Sequence, residues 1–463
     1  MELTNLPAEL ILKIFSYLTQ RHLTIIAKVS ETWKQLAFDP SLWTEISIDS
    51  RANHSKQYAR EVLDRALLIR KLDVSSGSVD LETVASCSHH FKLLTELFLP
   101  GRALSHHVIP TIFANSVSLS KLTLSGRDIL LPNDVLTLEQ LPRLKFLITT
   151  DELKIHDDVL RQISLSCPKL EYLELNSDHI SRRDTWECLA RLKFLKCLSV
   201  SRISTGSLLH ASKSCPTLET LEIGNIWNEN QVSVAQSLRG FRTLKSLSVS
   251  SDCGDGWFNA DFQMPPRLEQ FDVPELQLKE DHLTQLVHSC KGTLRHITIS
   301  APLLNDTALR KLPACINLEE ISIYGVSGLL PILPLIAKMP KLVSAQVHAV
   351  GGAKETIRQL TSIVDILDRS KRGHTRLVIN IFCSSQSSLD TMLREVFMFK
   401  EFLLLNTCLS PQHIRDLEEQ WWRLKDAKLF WLPCGGQVHH SVVTSFPAVC
   451  KTLRHLTLDI VDA

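Results

Sequence analysis

Residues 167–177 read CPKLEYLELNS, and within them Leu170, Leu173 and Leu175 follow the spacing L-x-x-L-x-L. Apolar residues that alternate with other residues in this way are typical of a half-buried strand. The same frame recurs along the chain at steps of 23 to 26 residues. Its first apolar residue is found at Ile69, Leu94, Leu119, Leu144, Leu170, Leu195, Leu218, Leu244, Leu268, Leu294, Leu318 and Leu342. A period that holds over twelve copies predicts a solenoid, in which each repeat contacts only its neighbours.

Composition narrows the classes of partner. The 463 residues include 51 lysines and arginines against 50 aspartates and glutamates, so no net field favours nucleic acid or an anionic membrane. The opening sequence MELTNLPAEL lacks a basic segment followed by an apolar run. The most apolar later stretch, Leu329 to Ala337, is interrupted by Pro331 and Pro334. We therefore expect neither a signal peptide nor a transmembrane helix.

The twelve cysteines form no CxxC pair, which argues against a zinc or redox motif. Cys167, Cys215, Cys315 and Cys450 each lie three residues before a repeat leucine. A position fixed to the repeat predicts a small, buried packing residue. Free thiols without a secretion signal favour a reducing compartment, so we expect a cytoplasmic or nuclear protein.

Residues 1–46 lack the repeat and show helical spacing instead. The first helix is predicted from Leu6, with Asn5 as its cap and Pro7 in its first turn. After a polar break at residues 19–22, two further short helices are predicted, around Leu23 to Val29 and around Trp33 to Ala37. A core of about 40 residues is marginal by itself, so the apolar excess indicates a binding surface.

This segment resembles the F-box, the module that docks substrate receptors onto the Skp adaptor of cullin-RING ubiquitin ligases. Residues 20–22 depart from the family, because the corresponding loop often carries proline or aspartate. The match also includes Glu9, Ser30, Asp39 and Pro40. The resemblance implies that a set of mostly apolar residues binds the adaptor: Leu6, Pro7, Leu10, Ile11, Ile14, Phe15, Leu18, Leu23, Val29, Trp33, Leu42 and Trp43.

Three segments are predicted along the chain: an F-box at 1–46, a linker at 47–68 and repeats over 69–463. The linker contains a helix between Ser55 and Leu68 that would cover the first repeat. The repeats are regular to about residue 350 and irregular over 351–463. In the irregular part, strands are predicted near 377–382, 402–405, 429–432 and 453–458, and the tryptophans are interpreted as an irregular capping core: Trp421, Trp422 and Trp431.

Each strand is followed by a predicted helical return, as in the segments that begin at Asp157 and Asp281, whose acidic residues are suited to capping. The repeat length and the recurring Cys-Pro-x-Leu resemble the cysteine-containing leucine-rich repeats that accompany F-boxes. The family's asparagine or cysteine after the strand is replaced by Gly77, Arg127 and Asp178 in three repeats. The expected fold is an α/β leucine-rich-repeat solenoid with parallel strands on the concave face and helices on the convex face, preceded by a three-helix F-box.

No motif for catalysis is found. The sequence lacks GxxxxGK before Ser or Thr, HExxH, GxSxG and a spaced set of metal ligands. His439 and His440 near Cys434, and residues 254–256, are isolated matches that we interpret as loop composition. We therefore predict no catalytic residue, metal or cofactor.

The outward positions of the strands are predicted to bind a protein substrate. If the repeat leucines point inward, most repeats present small or polar residues on the concave surface. The second, fourth and fifth repeats instead place large apolar residues on this surface: Phe98, Phe146, Ile148 and Tyr172. With Glu96, Glu174 and Glu222 beside them, these residues would form an apolar patch with an acidic rim. The third repeat, with Lys121, Thr123 and Ser125, would interrupt the patch. Two alternatives remain: another segment covers it, or the register is shifted by one residue and these side chains point inward.

The function implied by the resemblance is substrate recognition for a Skp-cullin-RING ubiquitin ligase. The expected partners are the Skp adaptor, through it the cullin and RING subunits, and a protein substrate, with neither nucleic acid nor membrane. One alternative is an adaptor that binds Skp and a partner but directs no ubiquitin transfer. Another is a repeat-type inhibitor or scaffold for which the F-box is incidental.

Overall fold

The computed structural model describes residues 6–48, 56–76, 79–150, 153–178, 180–227, 234–250, 264–300, 304, 306–326, 335, 339–342, 344–350 and 376–382. The chain divides into two compact units, residues 1–232 and 233–463. Among the described helices, none is both long and apolar enough to cross a bilayer.

The first unit begins with a helical head, defined here as residues 6–48. Its helices are α1 (Ala8–Phe15), α2 (Gln20–Ile26) and α3 (Glu31–Ala37), followed by a 3₁₀ turn at Pro40–Leu42. Helix α1 begins two residues later than predicted, because Pro7 is extended, and the predicted cap Asn5 lies outside the described residues. Helix α2 begins inside the predicted polar break, because the Thr19 side chain accepts a hydrogen bond from the backbone N–H of His22.

The described residues of this unit form eight strands, each parallel to the next. They are β1 (Glu45–Ser47), β2 (Lys71–Asp73), β3 (Glu96–Pro100), β4 (Lys121–Ser125), β5 (Phe146–Thr149), β6 (Tyr172–Leu175), β7 (Cys197–Ser204) and β8 (Thr220–Trp227). Strand β1 belongs to the head, so the sheet begins one strand earlier than predicted. The reason is that Trp43, Ile46 and Ile48 repeat the L-x-x-L-x-L spacing, and all three are buried.

Helical segments connect successive strands. The α-helices are α4 (Lys56–Arg65), α5 (Leu81–Cys87), α6 (Ile109–Asn115), α7 (Pro132–Leu136), α8 (Asp157–Ser166) and α9 (Thr205–Ser214). Three 3₁₀ helices accompany α5, α6 and α7, at Ser88–Leu93, Gly101–Ser105 and Thr137–Gln140. A fourth, Arg183–Arg191, connects β6 to β7.

The second unit continues the same repeat. Its described strands are β9 (Ser246–Val249), β10 (Gln270–Gln277), β11 (His296–Ser300), β12 (Glu320–Val326), β13 (Ser344–Val350) and β14 (Arg376–Phe382), each parallel to the next. Its helices are α10 (Val234–Leu238), α11 (Glu280–Cys290) and α12 (Asp306–Leu309), with a 3₁₀ turn at Leu312–Ala314. Strand β14 agrees with the strand predicted near 377–382. The later predicted strands, the three tryptophans, Cys450, residues 254–256 and the His439–His440 pair lie outside the described residues.

The repeat leucines form the core of both units. All twelve marker residues, from Ile69 to Leu342, are at most 6 % exposed. Neighbouring strands pair equivalent positions, as in Leu97 with Leu122 and Leu122 with Leu147. Since alternate residues of a strand face opposite sides, the residues between the buried leucines lie on the other face. The predicted α/β leucine-rich-repeat fold with a helical head is confirmed.

Candidate interaction surfaces

The head has a small core built from one side of each helix. Ile11 and Phe15 of α1 and Leu23 of α2 are buried. Phe15 contacts the half-buried Trp33 of α3 edge to face, with ring centroids 5.7 Å apart. The residues predicted to bind an adaptor thus include three that hold the head together, a distinction that the spacing of the sequence left open.

A second set of apolar residues in the head is exposed. Leu10 and Ile14 of α1 are 52 % and 42 % exposed, and Val29, after α2, is 64 % exposed. Tyr17 and Ile25, which are not among the predicted adaptor residues, are also exposed. Leu10, Ile14 and Tyr17 follow helical spacing, so the signal for Tyr17 was the extension of this stripe by three residues. The exposed head surface is defined by Pro7, Leu10, Ile14, Tyr17, Ile25 and Val29.

The other predicted adaptor residues are intermediate in exposure, with one exception. Leu6, Leu18 and Leu42 are half-buried. Trp43 is fully buried, which corrects its assignment as an adaptor contact. The reason is its position as the marker residue of the first strand, where its indole N–H donates to the Ala37 carbonyl at 2.8 Å.

Trp43 joins the head to the repeats of the first unit. Its ring stacks on Phe38, with centroids 5.7 Å apart, and the guanidinium of Arg65 in α4 lies 3.7 Å from the centre of the Phe38 ring. The backbone N–H of Arg70 donates to the Thr44 carbonyl at 2.7 Å. The head is therefore packed against the linker helix and paired with β2.

The predicted substrate residues all lie on one face of β3–β8. Phe146 is 37 % exposed, and the other six are half-buried: Glu96, Phe98, Ile148, Tyr172, Glu174 and Glu222. The register shift considered as an alternative is excluded by the buried leucines between them. This side of β1–β8 is called the exposed sheet face below.

Phe98 occupies a charged part of the exposed sheet face. The ammonium groups of Lys71 and Lys121, on the two flanking strands, lie 5.5 and 5.8 Å from the centre of its ring. Lys121 also forms an ion pair with Glu96 at 3.5 Å. Glu96 is therefore neutralised locally and does not form an acidic rim as predicted.

Phe146 and Tyr172 contact each other across β5 and β6, with ring centroids 5.9 Å apart. The Tyr172 hydroxyl donates to Glu174 at 2.8 Å. Burial and then the Glu174 carboxylate raise the pKa of Tyr172. Burial, Glu222 and Glu174 raise the pKa of the adjacent Cys197 to about 12. This end of the face is thus apolar and negatively charged.

Thr123 connects the two apolar parts. It is paired in register with Phe98 on one side and Ile148 on the other, and it is 8 % exposed. In this row, therefore, the third repeat contributes a covered threonine between Phe98 and Ile148. Its Oγ1 has no hydrogen-bond partner among the described residues.

The cysteines fixed to the repeat behave as packing residues. Cys167, Cys215 and Cys315 are buried free thiols. Burial raises the pKa of Cys167 and Cys215 to about 12 and that of Cys315 to about 11. In the described part of the chain, no group of three His, Cys, Asp or Glu side chains is arranged to hold a metal ion.

Comparison with known proteins identifies the head. Residues 3–49 match the F-box-like family, so this part of the chain is an F-box-like domain. The crystal structure of the Rad7 and Elc1 complex in yeast is similar over 87 % of this chain and 92 % of that one, at 15 % identity and a TM-score of 0.43. The leucine-rich repeat-containing protein LegL7 from Legionella pneumophila is similar over 64 % of this chain and 89 % of its own, at 13 % identity and a TM-score of 0.35.

Proposed function

We propose that this chain is a substrate receptor of a Skp-cullin-RING ubiquitin ligase, in which the head binds the Skp adaptor and the repeats bind the protein to be modified. The chain itself has no catalytic role in this proposal. The observation that supports it most is the exposed head surface on a domain of the F-box-like family. In this proposal, ubiquitin transfer depends on the other subunits of the ligase, which the chain reaches through the adaptor.

The exposed head surface is suited to binding a protein. Leu10, Ile14 and Tyr17 follow helical spacing over α1 and the turn after it, and Ile25 and Val29 are exposed at the end of α2 and just beyond it. Exposed apolar residues that occur singly need no explanation, whereas contiguous ones mark interaction sites. Burying a side chain of this size stabilises a complex by about 1.5–3 kcal/mol.

The joint between head and repeats supports the receptor role. Because Trp43 is buried and β1 pairs with β2, the head has a fixed position relative to the exposed sheet face of the first unit. A receptor must hold its substrate at a workable distance from the transferred ubiquitin. A rigid joint meets this requirement without a long linker.

Co-purification of the Skp adaptor with the full chain tests the proposal. Replacing Leu10 and Ile14 together by aspartate should abolish adaptor binding and leave the melting temperature nearly unchanged, since both side chains are exposed. A matched control replaces Leu93 and Val117, which have comparable exposure in the repeats, by aspartate. Adaptor binding that survives the head substitutions would contradict the proposal.

A second measurement separates ubiquitin transfer from simple binding. Proteins near the chain are identified by proximity labelling with and without proteasome inhibition. A substrate should accumulate when the proteasome is inhibited and when the receptor is depleted. Partners whose abundance is unchanged by both treatments would instead favour an adaptor that directs no degradation.

A further inference from the structure

The exposed sheet face changes its charge between β4 and β6. At the first end, Lys71 lies 3.9 Å from Glu45, and Lys121 lies 3.5 Å from Glu96, so the charges are balanced. At the other end, the outward positions of β5–β8 carry Glu174 and Glu222. The cation in these strands, Arg202, follows Ser199 by three residues in β7 and lies 4.0 Å from Asp178. No cationic side chain among the described residues forms an ion pair with either carboxylate.

The two lysines that immediately precede β5 and β7 are engaged elsewhere. Lys145 and Lys196, at the starts of β5 and β7, both pair with Glu171, at 2.7 and 3.3 Å. This pairing lowers the pKa of Glu171, with the hydrogen bonds from the two lysines as the main cause. The two lysines therefore do not neutralise Glu174 and Glu222, and a negative charge remains on this end of the face.

The two carboxylates are placed to share one cationic side chain or to hold two. Glu174, Ser199 and Glu222 are paired in register across three adjacent strands. Strands are about 4.8 Å apart, so the backbones of the two glutamates are separated by about 10 Å. Ser199, between them, is too small to block access. The Tyr172 hydroxyl occupies one oxygen of Glu174 and leaves the other available.

An apolar strip adjoins the carboxylates. Phe98, Thr123 and Ile148 lie side by side on β3–β5, and Ile148 is paired in register with Glu174. Phe146 and Tyr172 form the neighbouring row. Aromatic side chains that are partly exposed and in mutual contact are typical anchors of protein interfaces.

The floor of the strip contains an unsatisfied polar group. The Thr123 hydroxyl is more than nine-tenths buried and has no partner among the described residues, and its side chain lies on the exposed sheet face with Lys121 and Ser125. A buried hydroxyl without a hydrogen bond is unfavourable. Because this hydroxyl is covered, a peptide group laid over the strip would pair with it only after the neighbouring side chains move apart.

We propose that this face binds an extended segment of the substrate in which a large apolar side chain lies within about three residues of a lysine or arginine. The apolar side chain contacts Phe146, Ile148 and Tyr172, and the cation pairs with Glu174 and Glu222. The backbone of the segment passes over Thr123. The inference rests on the proposed function only in naming the bound protein a substrate. Acidic or phosphorylated segments are disfavoured by repulsion from the two carboxylates.

Selection from a peptide library on the full chain tests this proposal. The probe is a fluorescent library of nonapeptides in which the five central positions are randomised. Selected peptides should contain an aromatic or aliphatic residue close to lysine or arginine. Binding should weaken as salt is raised, because the contact with the glutamates is partly exposed.

Two variants separate the contribution of the two glutamates to peptide binding from that of the aromatic residues. Glu174→Gln with Glu222→Gln should weaken the best peptide by about tenfold and remove the preference for basic residues, since two partly exposed ion pairs are lost. Phe146→Ser should weaken it by about tenfold or more and retain that preference. The control, Asp158→Asn with Glu187→Gln, removes two exposed charges from the helical side of the same unit and should change nothing.

Three outcomes would overturn the proposal: no peptide is selected, the selected peptides lack basic residues, or the glutamate variants bind them unchanged. Peptide binding in this proposal does not depend on the head. Leu10→Asp with Ile14→Asp should retain peptide binding while losing the adaptor, and the glutamate variants should show the reverse. Failure of adaptor binding alone would therefore refute the ligase role and leave the peptide site standing.

Discussion

The carboxylate of Asp157 accepts a hydrogen bond from the hydroxyl of Thr185, in the next repeat, at 2.6 Å. The same carboxylate accepts bonds from the hydroxyl of Ser181 at 2.9 Å and the backbone N–H of Arg182 at 3.0 Å. Asp157 was predicted to cap its own helix, but the capping position of α8 is His156. Asp157 instead caps the 3₁₀ helix Arg183–Arg191 of its neighbour, so it links two repeats.

Replacing Asp157 by alanine should destabilise the first unit by about 0.5–2 kcal/mol, the usual cost of a lost cap. Burial raises the pKa of Asp157, but the hydrogen bonds from Thr185, Arg182 and Ser181 outweigh it, so the pKa lies below its ordinary value of 3.8. A lowered pKa means that the contribution is fully present above that value and is lost as the pH falls below it. Urea unfolding at pH 7 and at pH 3 measures both effects: the difference between the two proteins should be smaller at pH 3 than at pH 7.

Asp158 provides the control. Its side chain is exposed and, among the residues that the structure describes, forms an ion pair with Arg161 alone, at 3.4 Å. Alanine at this position should change the free energy of unfolding by less than about 1 kcal/mol. Equal losses for the two variants would show that helix charge, and not the link between repeats, accounts for the effect.

Trp43→Ala should destabilise the first unit by about 3–5 kcal/mol, as expected for removing a fully buried aromatic side chain. The variant should also lose adaptor binding, because the head loses the side chain that joins it to β1 and α4. Thermal unfolding measured with adaptor co-purification tests this prediction. Trp227→Ala is the matched control, since Trp227 is exposed and contacts Arg202 only from the surface.

A Trp43→Ala variant that keeps the melting temperature of the parent but fails to bind the adaptor would contradict this interpretation. It would mean that the tryptophan becomes accessible and contacts the adaptor directly, as the resemblance first implied.

Much of the repeat fold could be predicted from the sequence, because the period of two within each strand is read directly from the leucines. The extra strand β1 was also encoded, since Trp43 precedes Ile69 by 26 residues in the same frame. It was missed because the F-box pattern already accounted for that tryptophan. The 3₁₀ helix at Arg183–Arg191 was harder to predict, because Asp157, which caps it, belongs to another repeat.

The division of the head into core and surface could not be predicted. Helix α1 is apolar on adjacent faces, with Leu10 beside Ile11 and Ile14 beside Phe15, so its spacing does not show which face is buried. The packing of α3 decides this, because Trp33 covers Phe15. The exposed sheet face was predicted residue by residue, whereas the role of Thr123 depended on the side chains of its two neighbours.

Cys167→Ala and Cys215→Ala should each lower stability by about 1 kcal/mol, since a small buried side chain is shortened. The native protein should also resist thiol reagents at pH 8, because both thiols are buried and their pKa values are about 12. Labelling followed by mass spectrometry, in the native state and in urea, measures this protection. Rapid labelling of either cysteine in the native state, or stoichiometric zinc in the purified protein, would contradict the packing role.

Ile11 and Leu10 are neighbours on α1 with opposite environments, and their alanine variants should behave in opposite ways. Ile11 is buried, so Ile11→Ala should destabilise the first unit by about 2–5 kcal/mol. Leu10 is mostly exposed, so Leu10→Ala should leave the free energy of unfolding within about 0.5 kcal/mol of the parent. In adaptor titrations, Leu10→Ala should weaken binding, whereas the folded fraction of Ile11→Ala should bind with nearly the parent affinity. Similar stability losses in the two variants would show that α1 buries both faces, and the exposed head surface would then have to be sought on α2.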